Sequence, residues 1–114
     1  MPARLLAAEI TREKLYLELH QELPYQLTVE TEEWEEQADG SAKVSQVIYV
    51  ARDSQKGIVL GKGGAMVKRI GAAARTELEQ LLDRRIHLFL YVKVRENWQD
   101  DRERYEDWGL DFNA

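Results

Sequence analysis

Apolar residues recur along the chain in more than one rhythm, and the changes of rhythm divide it into elements. From about Leu5 to Glu22 the helix formers Leu, Ala, Glu, Lys and Arg dominate, and Leu23-Pro24-Tyr25 supplies a stop. Leu6, Ile10 and Leu17 share one face of that helix at helical spacing, whereas Leu15 and Leu19 fall nearly opposite. A helix apolar on two sides is either wedged inside its own domain or turned toward a neighbouring one, and the sequence leaves both readings open.

The rhythm then changes to alternation. From Gln26 to Gln37, Leu27, Val29 and Thr31 fall on one face of a strand, with Thr28 and Glu30 on the other. Ala38-Asp39-Gly40-Ser41 carries Asp-Gly turn chemistry, so a hairpin returns along about 42–53. Within it, Val47-Ile48-Tyr49-Val50-Ala51 is continuously apolar, which marks a central strand covered on both faces or flanked on both sides. Residues 54–60 read as a short helix. After a glycine loop, 65–82 reads as a long helix with Val67, Ile70, Ala74, Leu78 and Leu81 on one stripe. Ile86, Leu88, Leu90, Val92 and Val94 alternate through a third strand over 85–95. The acidic tail from Asn97 carries Trp98, Tyr105 and Trp108, which predicts a last short helix held by its aromatics.

A strand that returns through helices must lie parallel to the one it left, so 85–95 pairs with 42–53, while 27–37 and 42–53 are antiparallel through their hairpin. The expectation is an α+β fold: a mixed three-stranded sheet with helices packed on one face.

Composition narrows the function classes. At 114 residues the chain suits one compact domain, 1–114, and no stretch approaches the roughly 20 apolar residues that cross a bilayer. The N-terminus lacks the apolar block of a signal peptide. With no cysteine there is no disulfide framework and no thiolate metal site. The net charge of −5 argues against phosphate binding until its distribution is read. Between Arg52 and Arg75 stand Arg52, Lys56, Lys62, Lys68, Arg69 and Arg75 against the single acid Asp53. The acids gather at Glu30–Asp39 and again at Asp100–Asp111, so an anion site belongs in the middle.

That middle contains Ile58-Val59-Leu60-Gly61-Lys62-Gly63-Gly64-Ala65-Met66-Val67-Lys68-Arg69-Ile70-Gly71. Gly61 and Gly64 join two helices, and a backbone without Cβ admits a sugar–phosphate chain closely. The N–H groups opening the second helix favour a phosphate, and Lys62 at the tip adds a cation. Ile58, Val59 and Leu60 offer an apolar wall for unstacked bases, with strand residues near Tyr49 to Ala51 as a floor. Two nucleotide readings fail on spacing. A P-loop needs Lys-Ser or Lys-Thr after its glycines, and a dinucleotide fingerprint needs a third glycine where Met66 sits. A plain helix–helix corner remains the bland alternative.

Nothing in the chain resembles a catalytic set. His87 alternates with core positions of a strand and His20 sits at a helix end, while Glu32/Glu33, Glu35/Glu36 and Asp100/Asp101 read as solvated faces. Trp34 stands among five glutamates that would repel phosphate, so anchoring in the core or at an edge suits it better.

Val59, Leu60, Gly61, Gly64, Val67, Lys68, Ile70 and Gly71 fill the pattern V-[IL]-G-x-x-G-x-x-[IV]-K-x-I-G of KH domains, which clamp about four nucleotides with such a loop. The helix-strand-strand prefix resembles the type II KH fold (α-β-β-α-α-β). Ala7 to Leu15, Glu22-Leu23-Pro24-Tyr25, His87 to Val94, and Trp98 with Asp100-Asp101 extend the likeness over nearly the whole chain to the C-terminal domain of Era-type GTPases. The resemblance implies a KH fold over about 5–95 and a C-terminal helix and tail over 96–114. It implies single-stranded RNA as the partner, at the 3′ end of 16S ribosomal RNA in small-subunit assembly, with no DNA preference. It further implies a monomer, a GTPase domain elsewhere in the parent protein that keeps GTP and magnesium to itself, no cofactor in this chain, and a cytoplasmic protein peripheral at the inner membrane. The RNA-contacting residues it points to are Lys56, Ile58, Val59, Leu60, Gly61, Lys62, Gly63, Gly64, Val67, Lys68 and Arg69. Two departures stand out: Met66 occupies a position often basic in the family, and Gly63 one that is usually polar or basic. A rival of another class is a protein–protein adapter using the two-faced first helix and the acidic tail, with a loop that is only structural.

Overall fold

The computed structural model describes residues 2–19 and 27–95. Helix α1 (Ala3–Leu19) leads into strand β1 (Thr28–Glu36) and strand β2 (Ala42–Val50). Helix α2 (Asp53–Leu60), a 3-10 turn (Lys62–Gly64) and helix α3 (Ala65–Leu82) carry the chain to strand β3 (Ile86–Val94). The predicted stop at Leu23-Pro24-Tyr25, the predicted C-terminal helix, and His20, Trp98, Tyr105 and Trp108 lie outside the described residues.

The sheet order is β1-β2-β3, with β1 antiparallel and β3 parallel to the central strand. The central strand is flanked on both sides, which accounts for its continuous apolar run. Its helix-side residues Ala42, Val44, Gln46, Ile48 and Val50 are all buried. On the outer side Ser45 and Val47 are small enough to be covered by their neighbours on the flanking strands, whereas Phe89 and Tyr91 of β3 stay exposed.

The β1 pairing contains one irregularity. Thr31 pairs with Gln46 and Glu33 with Ser45, so Glu32 is an extra residue in the ladder. This bulge reverses the inward parity of the strand. Val29 and Thr31 face the helices before it, and Trp34 faces them after it, opposite Val44. Trp34 thereby packs on the core and donates its indole N–H to Glu36 at 2.9 Å, the anchoring role its acidic surroundings suggested.

Two apolar clusters fill the space between sheet and helices. One gathers Leu15, Leu19, Leu27, Ile48, Val50, Val59, Ile70 and Val92; the other gathers Ala7, Ile10, Ala42, Val44, Ala74, Leu78 and Ile86. This settles the two-sided first helix for most of its residues. The N-terminal half of α1 buries Ala7 and Ile10 in one cluster, and its C-terminal half buries Leu15 and Leu19 in the other, so both sides are used inside the fold. Leu17 is the correction: it shares a face with Ile10 in sequence, yet is 52% exposed, as is Leu5.

Between the clusters runs a polar seam. The Thr11 hydroxyl donates to Gln46 Oε1 at 2.5 Å, the Gln46 amide donates to Thr31 Oγ1 at 3.2 Å, and the Thr31 hydroxyl donates to the Arg4 carbonyl at 2.9 Å. Gln46 and Thr11 are fully buried, and an amide there is tolerable only because it is bonded at both ends. The turn from α3 into β3 is fixed similarly. Asp83 takes the left-handed conformation (φ 52°), and the Glu79 carboxylate accepts the Ile86 N–H at 3.0 Å and the Arg75 guanidinium at 3.1 Å.

Thr11→Val, which keeps the shape but removes the donor to Gln46, is expected to lower unfolding stability by about 1–3 kcal/mol, read as a lower urea midpoint at unchanged slope. A second expectation concerns acid. The Ile86 N–H, with Arg75 nearby, holds the Glu79 carboxyl below its ordinary range. Arg84 does the same to Glu36, and the Ser41 hydroxyl to Asp39. All three are depressed in the folded state, so their stabilisation is present above the ordinary carboxylate pKa of about 4 and is lost progressively as pH falls from there through the lower folded-state values. The melting temperature should drop on acidification through that window, and Glu79→Gln should flatten part of the drop.

Candidate nucleic-acid interface

The loop is built from both of its ends. On the near side, Gln55 Oε1 accepts the N–H groups of Ala51 (2.8 Å) and Arg52 (3.0 Å) and so opens α2 tightly against the end of β2. On the far side, Gly61 N–H closes α2 on the Gly57 carbonyl at 2.9 Å, and Gly64 N–H bonds the Gly61 carbonyl at 3.1 Å. Gly61 adopts φ 71°, ψ 176°, a region essentially reserved for glycine. A Cβ there would lie 2.6 Å from Met66 Cβ and 2.9 Å from Met66 N. Gly63 and Gly64 follow with φ of 62° and 79°. The corner is therefore closed by backbone against backbone.

Helix α3 starts at Gly64 with no side-chain cap and no acid in its first turn. The positive end of its dipole is left to the loop, and Lys62 stands exposed beside it. Just past the loop, a groove of about 310 Å³ runs between α3 and β3. Val67, Gly71 and Ala72 line it from the helix, Leu88 and Leu90 from the strand, and Lys68 and Arg75 stand on its helix side. A Cβ on Gly71 would touch Leu90 at 3.4 Å, so glycine keeps the floor open there. An apolar trough edged by cations, its first lining residues in the opening turn of an uncapped helix, can hold flat apolar groups in the trough and anions along its rim.

The structure sorts the residues singled out in the sequence. Gly61, Lys62, Gly63 and Gly64 form the corner, and Val67 and Lys68 line the groove. Ile58 is exposed (36%) on α2, and Lys56 is half-exposed there. Val59 is corrected: it is fully buried in the core, so it holds α2 in place and cannot touch a ligand. Leu60 packs against the same cluster. Arg69 is turned to α1, where it pairs with Glu18 at 3.3 Å, and is not among the groove's lining residues. The floor expected near Tyr49 is replaced by Leu88 and Leu90; Tyr49 lies on the other face of the sheet, with the Arg95 guanidinium 3.6 Å over its ring. Arg75, Leu88 and Leu90 were visible only as a basic residue and as alternating strand positions, and nothing local in the sequence marks them as groove residues. Met66 is half-buried against the core, filling the angle under Gly61 where a basic side chain would reach outward.

Topology also answers the net negative charge. The glutamate-rich β1 is the strand farthest from the groove, two strand spacings or about 10 Å from β3. The Debye length at physiological salt is about 8 Å, so most of that charge is screened where Lys68 and Arg75 stand. Glu30 and Glu36 are further offset by Arg95 and Arg84. The residues do not fit a nucleoside triphosphate or a metal: the loop lacks the P-loop Lys-Ser/Thr, and the described residues contain no cluster of His, Cys, Asp or Glu suited to an ion.

Comparison with known proteins agrees with this geometry. The family model for the KH domain matches residues 22–99. GTPase Era of Sinorhizobium medicae (strain WSM419) is 64% identical over 112 residues, and GTPase Era of Brucella suis biovar 1 (strain 1330) is 65% identical over the same length. Each alignment takes in 98% of this chain, which spans 36% of the length of these relatives. Among solved structures, an Aquifex aeolicus Era variant bound to GDP and AlF4− superposes with a TM-score of 0.81 at 37% identity, over 96% of this chain and 37% of that one. Era in complex with MgGDPNP and nucleotides 1506–1542 of 16S ribosomal RNA matches with the same score, identity and coverage. The helix-strand-strand-helix-helix-strand order is thus shared with Era.

The corner predicts an order of sensitivities. Gly61→Ala forces a collision with Met66 as well as backbone strain of about 1–3 kcal/mol. Gly63→Ala meets nothing within 4 Å and carries only the left-handed cost of about 1–2 kcal/mol. Thermal melts should place Gly61→Ala clearly below Gly63→Ala.

Proposed function

The chain belongs to the KH domain family, in the form found in GTPase Era, and on that premise we propose that it binds single-stranded RNA in the groove between α3 and β3. The observation that carries this reading is the nearness of loop and groove: a glycine corner with an uncapped helix start lies about one helical turn before an apolar trough edged by Lys68 and Arg75. The backbone of Gly61 to Gly64 and the Lys62 ammonium hold phosphates. The unstacked bases rest on Val67, Leu88 and Leu90, over the open floor at Gly71. About four nucleotides fit such a clamp. Among the described residues β3 is an edge strand, and its free row of backbone donors and acceptors would suit the reading of base edges.

The proposed target is the 3′ end of 16S ribosomal RNA in assembly of the small subunit. The 16S fragment in the related Era complex supports this. The chain itself performs no catalysis in this reading; GTP hydrolysis and its magnesium belong to the remainder of an Era-type protein. The exposed Leu5, Tyr16 and Leu17 on α1 favour a second, compatible reading of that helix as a protein contact.

The double change Lys62→Asp with Gly63→Asp puts two carboxylates at the corner without touching the core. It should abolish binding of an oligonucleotide from the 16S 3′ end while circular dichroism stays native. For the unmodified chain, the logarithm of the binding constant should fall with the logarithm of salt concentration at a slope of about −0.7 per phosphate contact. Unchanged affinity in the double variant would overturn the loop assignment and leave the adapter reading.

A further inference from the structure

The outer face of the sheet carries a feature that neither the loop nor the groove uses. Phe89 and Tyr91 project from β3 away from the helices and are 43% and 52% exposed. They stand two residues apart on one strand, so their side chains are about 6.7 Å apart along it. Their surroundings are cationic on this side. Lys43, paired with His87 in the parallel ladder, reaches 5.7 Å from the Phe89 ring centre, and Lys93 is exposed beyond Tyr91. The acids of this face, Glu30, Glu32, Glu33 and Glu35, all sit on β1, two strands from the rings, with Glu35 opposite Lys43. Tyr49 is already covered by the Arg95 guanidinium at 3.6 Å, whereas the Lys43 ammonium stands off the Phe89 ring at 5.7 Å and both Phe89 and Tyr91 keep exposed surface.

This face is continuous with the groove. A second depression, of about 490 Å³, shares Arg75 and Leu88 with the groove and passes Glu79, Arg85 and His87 to reach Phe89. A chain leaving the groove at Arg75 therefore passes Glu79, whose charge is already paired with Arg75, and meets Arg85, then an aromatic ring, without crossing the acidic strand β1.

We propose that single-stranded RNA seated in the groove continues around the start of β3 onto the outer face, where two further bases stack on Phe89 and Tyr91 and Arg85, Lys43 and Lys93 hold their phosphates. The proposal rests on the groove reading and extends it. Stacking on open aromatic rings is sequence-tolerant, because every base has a π-face. Exposed aromatic pairs on a sheet flanked by lysines suit it, whereas a protein partner would be expected to need an apolar patch without so many charges. Lys43, now over the Phe89 ring, is a flexible side chain that can swing aside to a phosphate when a base takes its place.

The test compares two lengths of one RNA on the full 114-residue chain, an oligonucleotide of about four nucleotides and one of about a dozen. Phe89→Ala with Tyr91→Ala removes two exposed rings, and thermal melting checks that the fold is kept. The longer RNA should lose roughly tenfold or more in affinity, while the shorter, confined to the groove, should change less than about twofold. Lys43→Glu with Lys93→Glu should reproduce that selective loss through charge. Full affinity of both variants for the longer RNA overturns the extension and leaves the face to a protein partner. Equal losses for both lengths overturn it as well, since the rings would then act through the groove. If the unmodified chain binds neither RNA, the groove reading falls and this one with it.

Discussion

The parallel pairing of β2 with β3 is the constraint from which the site follows. Two parallel neighbours cannot be joined by a tight turn; the chain must leave one end of the sheet and come back to the other. Here the return is α3, whose 18 residues span about 27 Å, close to the roughly 30 Å of the nine-residue strand that follows it. A return helix matched in length to its strand leaves the short α2 and the glycine corner at the far end of the sheet. It also lays one helix flank along the edge of β3 for its whole length. Corner and groove are thus two consequences of one connection.

Holding that connection requires a core that fixes α1, α3 and the sheet together, and the two clusters do so with a polar seam between them. Fully buried Ile70 and Leu78 each contribute about 1.5–3 kcal/mol by leaving water, enough in sum to set the depth of α3 on the sheet. The Thr11–Gln46–Thr31 chain adds direction rather than depth, because an amide bonded at both ends accepts only one relative placement of α1, β1 and β2. The corner is then positioned by packing behind it, with Val59 and Met66 filling the space under the loop.

Much of this was legible in the sequence. The element order, the strand pairing and the glycine corner follow from periodicity, turn chemistry and connection rules, because each is written locally. What escaped was whatever depends on how elements meet. Nothing near Glu32 announces a bulge, so the inward turn of Trp34 is invisible until β2 is alongside. Leu17 has the spacing of a core residue but falls beyond the reach of either cluster. Val59 looks like a wall of the binding loop, and only the depth of α2 shows that it is core. Leu88 and Leu90 look like any strand interior until α3, thinned by Gly71 and Ala72, fails to cover them. The misses at the groove share one cause, since a groove is a place where packing is withheld.

The extra residue at Glu32 has a further effect on how the molecule behaves among its own copies. An edge strand is a template for another strand, and a flat one invites chains to stack without limit. Strand β1 meets that hazard with a ladder fault and a row of carboxylates at Glu32, Glu33, Glu35 and Glu36. A second chain approaching this margin finds its register broken midway and its charge repelled. The opposite margin, at β3, bears no such fault. Among the described residues the sheet is polarised across its width, one border guarded against a second copy's strand and the other carrying neither the ladder fault nor the row of glutamates.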